Sequence, residues 1–577
     1  MFEFLSVIAL ALLLGWPIGR YLAAVMRGNP MWGDRVFGLI ERPLYRILGV
    51  APGQGMGWKQ YVTAFLVSNL VLAVLTLAIF MTQAWLPLNP NNAPNMRWDL
   101  ALHTMVSFLT NTNQQHYSGQ AQLSYFAQMT GIVGLQVITP MMGLALVVAT
   151  LRGLFGGRRR DVLAAAGNDR ATSVAASDGE PDLGNYWADV IRPAVRLMLP
   201  LCLLWSLLLT WQGVPSTLNG GPVATPIDAS AGMAEQKIPL GPVASMVAAK
   251  QLGTNGGGWY GPNSAVPLEN PTALSNLLET LALILIPVSI AFMVSAFTGR
   301  RRFTALVVGT MLAMSLVSTG MALWSESLSS TSTDIALMEG KEVRFGADPS
   351  ALWAALTTQT SNGSVNAMHD SLAPLTGMVT ISNMLVNSIW GGIGCGLQQF
   401  IVYLLLSVFL AGLMTGRTPE LFGRKIEAPE VKLLAVLVLL QPLVLLSLTA
   451  ITLAVPSLTG NSNPSFHGIS QVFYEFTSAF ANNGSGFEGL GDATYWWNLT
   501  CAVVLALGRY PALIIPLVIS AMLARKRAVP ESPGTLHVET PTFALTLIAV
   551  VVILTLLQFM PVLVLGPIAD HLALKAF

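Results

Sequence analysis

Residues 253–259 read Gly253-Thr254-Asn255-Gly256-Gly257-Gly258-Trp259, an uncharged string that follows a short, mostly apolar stretch, Val243–Leu252. A bilayer takes about 20 apolar residues to cross, so the stretch is too short to span and fits a re-entrant helix. The same arrangement occurs three more times. Leu100–Leu109 leads into Thr110-Asn111-Thr112-Asn113-Gln114-Gln115-His116-Tyr117-Ser118-Gly119. Ala351–Thr358 leads into Thr360-Ser361-Asn362-Gly363-Ser364-Val365-Asn366, and Val472–Phe480 into Asn482-Asn483-Gly484-Ser485-Gly486-Phe487. Aligned on Asn111, Asn255, Asn362 and Asn483, the copies stand 144, 107 and 121 residues apart. One such string is an ordinary polar turn. Four, each behind a short apolar helix, are a degenerate internal repeat.

Working outward, each string sits between long apolar segments. Ten segments have the length of a span: 3–26, 60–83, 124–150, 193–212, 273–298, 303–324, 390–415, 432–455, 495–523 and 542–565. Only 10% of the 577 residues are charged, against about 25% in a soluble domain. This excludes a soluble fold and a charge-rich disordered chain. The net charge of +1 gives no sign of a nucleic-acid partner. The expected class is an all-α polytopic membrane protein. It has an extra N-terminal helix and basic loop (1–59), then pore repeats at 60–150, 193–298, 299–416 and 432–527. Cytoplasmic loops fall at 151–192 and 417–431, and an extra C-terminal helix at 528–577. The first segment carries only Glu3 as an early charge, so it reads as an uncleaved helix.

Basic residues set the expected orientation. Five clusters hold 23 of the 30 Lys and Arg: Arg20 to Lys59, Arg152 to Arg196, Arg300–Arg302, Arg417 to Lys432 and Arg525–Arg527. They occupy alternate loops, and cytoplasmic loops are the basic ones. Both termini and all four polar strings then lie on the outer face.

The strings suggest a chemistry. A dehydrated cation needs oxygen ligands in place of its water, and rings of backbone carbonyls supply them. Glycine lets the backbone aim consecutive carbonyls one way. Asn, Ser and Thr hydrogen-bond neighbouring backbone and hold that shape. Short helices pointing their C-terminal ends at the ring add partial negative charge. None of the loops holds a carboxylate, which a divalent-cation site would use, so a monovalent ion fits.

Other residues leave alternatives open. Arg509 lies inside a span, either as an electrostatic barrier near the pore or in an ion pair. Gly391-Gly392-Ile393-Gly394-Cys395-Gly396 disfavours helix and reads as a constriction below the loops or as a close-packing surface. The six His have no metal-ligand spacing, and Cys202, Cys395 and Cys501 lie far apart, so no transition-metal site is expected. There is no phosphate-binding loop and no Asp-Lys-Thr-Gly phosphorylation sequence, hence no visible energy source.

The chain resembles the potassium-binding A subunit family of the bacterial potassium-importing P-type ATPase complex. The resemblance rests on Gly57-Trp58-Lys59-Gln60-Tyr61, Leu86-Pro87-Leu88-Asn89-Pro90, Ser107 to Asn113, Gly253 to Gly258, Glu269-Asn270-Pro271-Thr272-Ala273-Leu274, Met338-Glu339-Gly340-Lys341-Glu342, Val365 to Ser371 and Gly416-Arg417-Thr418-Pro419-Glu420. It implies a potassium-channel-like fold in the bacterial inner membrane and a complex with an ATPase subunit (KdpB), KdpC and KdpF. Hydrolysis would belong to KdpB, and potassium would pass to it through a tunnel. The implied potassium ligands are Asn111, Thr112, Asn113, Gln115, Thr254, Asn255, Gly256, Ser361, Asn362, Gly363, Asn482, Asn483 and Gly484. Gly392, Gly394, Arg417 and Arg509 would govern the pore below. Some members have Cys at the Asn362 position, which bears on affinity. Segment 158–184 looks longer than in some relatives and reads as a flexible cytoplasmic loop. A stand-alone potassium transporter driven by membrane potential is the alternative. A purely structural membrane scaffold would not require four such loops.

Overall fold

The computed structural model describes residues 2–156, 181–228, 230, 232–328, 338, 340–530 and 535–574. Arg158, Arg159, Arg160, Arg170, Glu339, most of segment 158–184 and the end of the chain at Phe577 lie outside the described residues. Among the described residues, ten helices are long and apolar enough to cross a membrane, one for each expected span. Between them stand four shorter helices, Trp98–Leu109, Val243–Leu252, Ala347–Gln359 and Ser465–Phe480, where the re-entrant helices were expected.

Local chemistry sets the helix ends. Ala273–Thr298 opens at Thr272, whose Oγ1 accepts from Ser275 N at 3.0 Å while Ser275 Oγ accepts from Thr272 N at 2.9 Å. It closes at Gly299, left-handed at φ +77°, with its N–H on Ser295 O. Prolines mark two of the wide turns. Pro193 precedes one at Ala194–Met198, and Pro567 sits in one at Val564–Ile568.

Ala127–Phe155 and Ala273–Thr298 are the most enclosed spans, and Ala428–Ala454 is the most exposed. The first helix, Phe2–Arg27, lies along Ala273–Thr298. Gly15 and Gly19, four residues apart, form its contact face. A Cβ on Gly19 would fall 2.4 Å from Ser289 O. Small residues at this spacing let backbones approach where lipid gives no hydrophobic drive.

Three features depart from the sequence reading. The segment expected as one span at 390–415 begins as a helix only at Cys395, and a separate helix, Pro374–Val386, precedes it. The third repeat therefore has a broken second helix, joined by residues 387–394. The basic loop after the first span holds a further helix, Asp34–Ile47, tied down by Arg196 to Asp34 (2.7 Å) and Glu41 (2.5 Å). Two minimal antiparallel ladders also occur, Val223–Ala224 with Gln236–Lys237 and Glu420–Leu421 with Arg424–Lys425.

Candidate ion pathway

The four short helices end in one way. The residue after each C-cap is left-handed: Asn111 (φ +62°), Thr254 (+51°), Ser361 (+50°) and Asn482 (+53°). The next residue then reaches back five positions with its N–H. Thr112 bonds Ser107 O, Asn255 bonds Lys250 O, Asn362 bonds Thr357 O (each 3.0 Å), and Asn483 bonds Ser478 O (2.9 Å). This is the six-to-one closure of a Schellman cap. A third residue is left-handed again: Asn113 (+56°), Gly256 (+78°), Gly363 (+85°) and Gly484 (+101°). Thr254 is β-branched, and its left-handed backbone is strained, as functional sites tolerate.

The caps correct the repeat register. Asn111 corresponds to Thr254, 143 residues on, rather than to Asn255. Asn occurs at the first position in two loops and at the second in three, so identity alone misplaces the first copy by one residue.

The loops then close into a ring. A Cβ on Gly256 would lie 2.1 Å from Asn362 O, on Gly363 2.0 Å from Asn483 O, and on Gly484 2.2 Å from Thr112 O. Loop two thus abuts loop three, three abuts four, and four abuts one. Side chains make the last seam. Asn111 Nδ2 donates to Thr254 O (3.2 Å), Asn255 Nδ2 to Asn111 Oδ1, and Gln115 pairs with the N–H (2.8 Å) and C=O (3.0 Å) of Gly258.

Most expected ligand side chains brace the ring. Asn362 Nδ2 donates to Lys250 O (3.1 Å) and its Oδ1 accepts from Ser364 N (2.9 Å). Asn483 repeats this one quadrant on, with Thr357 O (2.9 Å) and Ser485 N (3.1 Å). Asn113 Oδ1 accepts from Gln136 Nε2 (2.8 Å), and Ser361 Oγ donates to Asn387 Oδ1 (2.7 Å). The backbone is what remains available. The second-position carbonyls of Thr112, Asn255, Asn362 and Asn483 accept no hydrogen bond from any described residue. At the first position Thr254 O is engaged by Asn111, and at the third Gly256 O is engaged by Asn263 Nδ2 (2.6 Å).

Next to the ring lies the break in the third repeat. Gly391 N donates to Gln359 O at 2.8 Å and Ile393 N to Thr254 Oγ1 at 3.1 Å. Gly392 faces Ser361 and Thr254, and a Cβ on Gly394 would lie 2.1 Å from Gly143 O. The Gly-rich segment is therefore a loop against the polar strings and a close-packed joint at once. Arg509, buried, donates to Cys395 Sγ and to Thr139 O (3.5 Å) and ion-pairs with no described carboxylate. Arg417 is not part of this group. It lies exposed beyond the far end of Cys395–Met414, a helix about 30 Å long.

Charged groups behind the loops escaped the sequence reading. Lys250 and Glu269 form a fully buried ion pair, with Glu279 nearby. His103 and His116 stack at 3.7 Å, and His116 bridges Asn498 Oδ1 (2.8 Å) and Glu475 Oε1 (3.2 Å). Burial opposes a charged His116, but Asp492 and Glu475 outweigh it and lift its pKa to about 8. Ligand atoms of His116, Glu475 and Cys501 lie within 4.8 Å of one another. His116 and Glu475 are already bonded to each other, to Asn498 and to Gln114, so the cluster is read as hydrogen-bonded packing.

Fold and site define a polytopic helical membrane protein in which the loops after four short helices close into one ring. Residues 5–572 match the family described as potassium-transporting ATPase A subunit, and the chain belongs to that family. The potassium-transporting ATPase potassium-binding subunit of Gloeobacter violaceus is 44% identical over 569 residues, covering 96% of this chain and 95% of that one. Its counterpart from Pseudomonas putida is 44% identical over 565 residues, covering 96% of each. The solved potassium transporter TrkH from Vibrio parahaemolyticus aligns with a TM-score of 0.48 at 15% identity, over 79% of this chain and 84% of that one.

Proposed function

We propose that this chain is the potassium-binding, channel-like subunit of an ATP-driven potassium import complex in the bacterial inner membrane. The observation that carries the reading is the ring of four second-position carbonyls, Thr112, Asn255, Asn362 and Asn483, that no described donor engages. A buried carbonyl without a partner is costly, and a dehydrated monovalent cation relieves it. Carboxylates stand behind the loops and not in them, which favours a monovalent ion over a divalent one. The ends of the short helices add partial negative charge. Names of the relatives supply the ion and the ATPase.

The alternating basic loops support a reading with the ring on the outer face and both termini outside the cytoplasm. The ion enters from outside, loses its water in the ring and passes the Gly391–Gly396 joint toward a tunnel to the partner. KdpB hydrolyses ATP, with KdpC and KdpF beside it, and this chain binds no nucleotide.

The test is potassium-stimulated ATP hydrolysis by the complex captured in mild detergent. Gly256→Asp pushes a carboxylate into Asn362 O and is expected to raise the potassium concentration needed for half-stimulation. Unchanged affinity removes the second loop from the site. Hydrolysis by the isolated chain contradicts the subunit assignment, and a cytoplasmic signal from a reporter fused after Phe577 reverses the topology.

A further inference from the structure

The fourfold pattern fails at one position. The residue that accepts the six-to-one cap bond is Ser107, Thr357 or Ser478 in three quadrants, and Lys250 in the second. The three hydroxyl residues serve their own loops. Ser107 Oγ donates to Gln114 O (2.9 Å), Ser478 Oγ accepts from Gly484 N (3.0 Å), and Thr357 Oγ1 contacts Asn362 Oδ1 at 3.5 Å. Lys250 instead carries a buried charge into the wall of the ring.

All three ammonium donors are spoken for. Lys250 Nζ donates to Asn263 Oδ1, to Ser264 Oγ (2.7 Å) and to Glu269 Oε2. Glu269 Oε1 accepts from Tyr260 N at 3.0 Å. Asn263 is left-handed at φ +59°, and its amide, polarised by Lys250, donates to Gly256 O at 2.6 Å. Among the third-position carbonyls of Asn113, Gly256, Gly363 and Gly484, that of Gly256 alone accepts a hydrogen bond from described residues. The unit reaches the third loop too, since Lys250 O accepts from Asn362 Nδ2 and Gln251 Oε1 from Ser364 Oγ at 2.9 Å.

Stability does not account for this arrangement. A buried ion pair gains little over well-packed apolar residues, and three quadrants manage with hydroxyls. We propose that Lys250, acting through Asn263 and anchored by Glu269, is a positioning residue that withdraws the Gly256 carbonyl from the ring. The outer ring of third-position carbonyls is thereby left with three free members. Binding is concentrated on the second-position ring, where all four are free. Size discrimination follows, because the Gly256 peptide cannot rotate to follow a larger ion. This rests on the reading of the ring as the potassium site.

Two variants of the assembled complex test it, Asn263→Ala and the charge-neutral pair Lys250→Gln/Glu269→Gln. Half-stimulating potassium and rubidium concentrations are measured together with the maximal ATPase rate. The expected result is a preference for potassium over rubidium that falls about tenfold, the size of one charge-assisted hydrogen bond, with the maximal rate held. Wild-type preference in either assembled variant overturns the proposal. So does failure of both variants to assemble, which makes the unit a folding element. A wild-type complex without potassium stimulation instead overturns the underlying potassium reading.

Discussion

The Cα of Gly363 packs against the carbonyl oxygen of Asn483, so closely that a methyl group there would lie 2.0 Å from the oxygen. Gly363 is also left-handed at φ +85°. Gly363→Ala therefore strains its own backbone and displaces a ring carbonyl in the neighbouring quadrant. Apparent potassium affinity in the assembled complex is expected to fall at least about tenfold, or ~1.4 kcal/mol. Potassium titration of ATPase activity reads this directly, and an unchanged midpoint counts against the ring.

Asn362→Cys is expected to be milder. The backbone carbonyl stays, and what is lost is the bracket to Lys250 O and Ser364 N. Net hydrogen-bond contributions of about 0.5–1.5 kcal/mol translate to an affinity weaker by roughly twofold to thirteenfold. The same titration checks it, and a loss of about a hundredfold or more would mean that the side chain itself binds the ion.

Arg509 places an unneutralised charge beside the joint in the third repeat. On the reading of Arg509 as an electrostatic barrier to cations, replacing it with Gln removes that barrier. Passive rubidium flux through proteoliposomes without ATP is expected to rise by roughly an order of magnitude. Wild-type tightness would assign Arg509 to packing alone.

His467 bridges Asp370 (2.8 Å) and Asp570 (3.0 Å). Burial disfavours its charge, but the bonds to both carboxylates outweigh that and hold its pKa up at about 9, above the ordinary 6.5. The stabilisation is then fully present below about pH 6.5 and lost as pH rises through about 9. Melting temperatures of the wild type and His467→Gln should differ at neutral pH and converge near pH 10. A gap that persists in strong alkali rules out the charged bridge.

The spans and the four short helices were legible because each rests on a local pattern: some 20 apolar residues, or a shorter apolar run ending in Asn, Thr and Gly. The register of the first copy was not, since Asn recurs at neighbouring positions and only the caps decide. Pro374–Val386 merged with its loop because it is too short to span. Lys250 gave no signal in the sequence because its partner Glu269 lies 19 residues further on and approaches only in the fold. Arg417 and Arg509 both looked like pore residues, and only tertiary structure separates them. The Gly15 and Gly19 spacing, by contrast, was present in the sequence and marks the close helix contact it usually marks.

One seam of the ring joins Gly484 to Thr112, elements from opposite ends of the chain. A protein made and inserted N-terminus first holds three of the four loops long before the last emerges. Until the fourth loop docks, there is no closed aperture. A half-synthesised copy therefore carries three loops that no fourth yet closes, and the ring is completed only by the last part of the chain to be written.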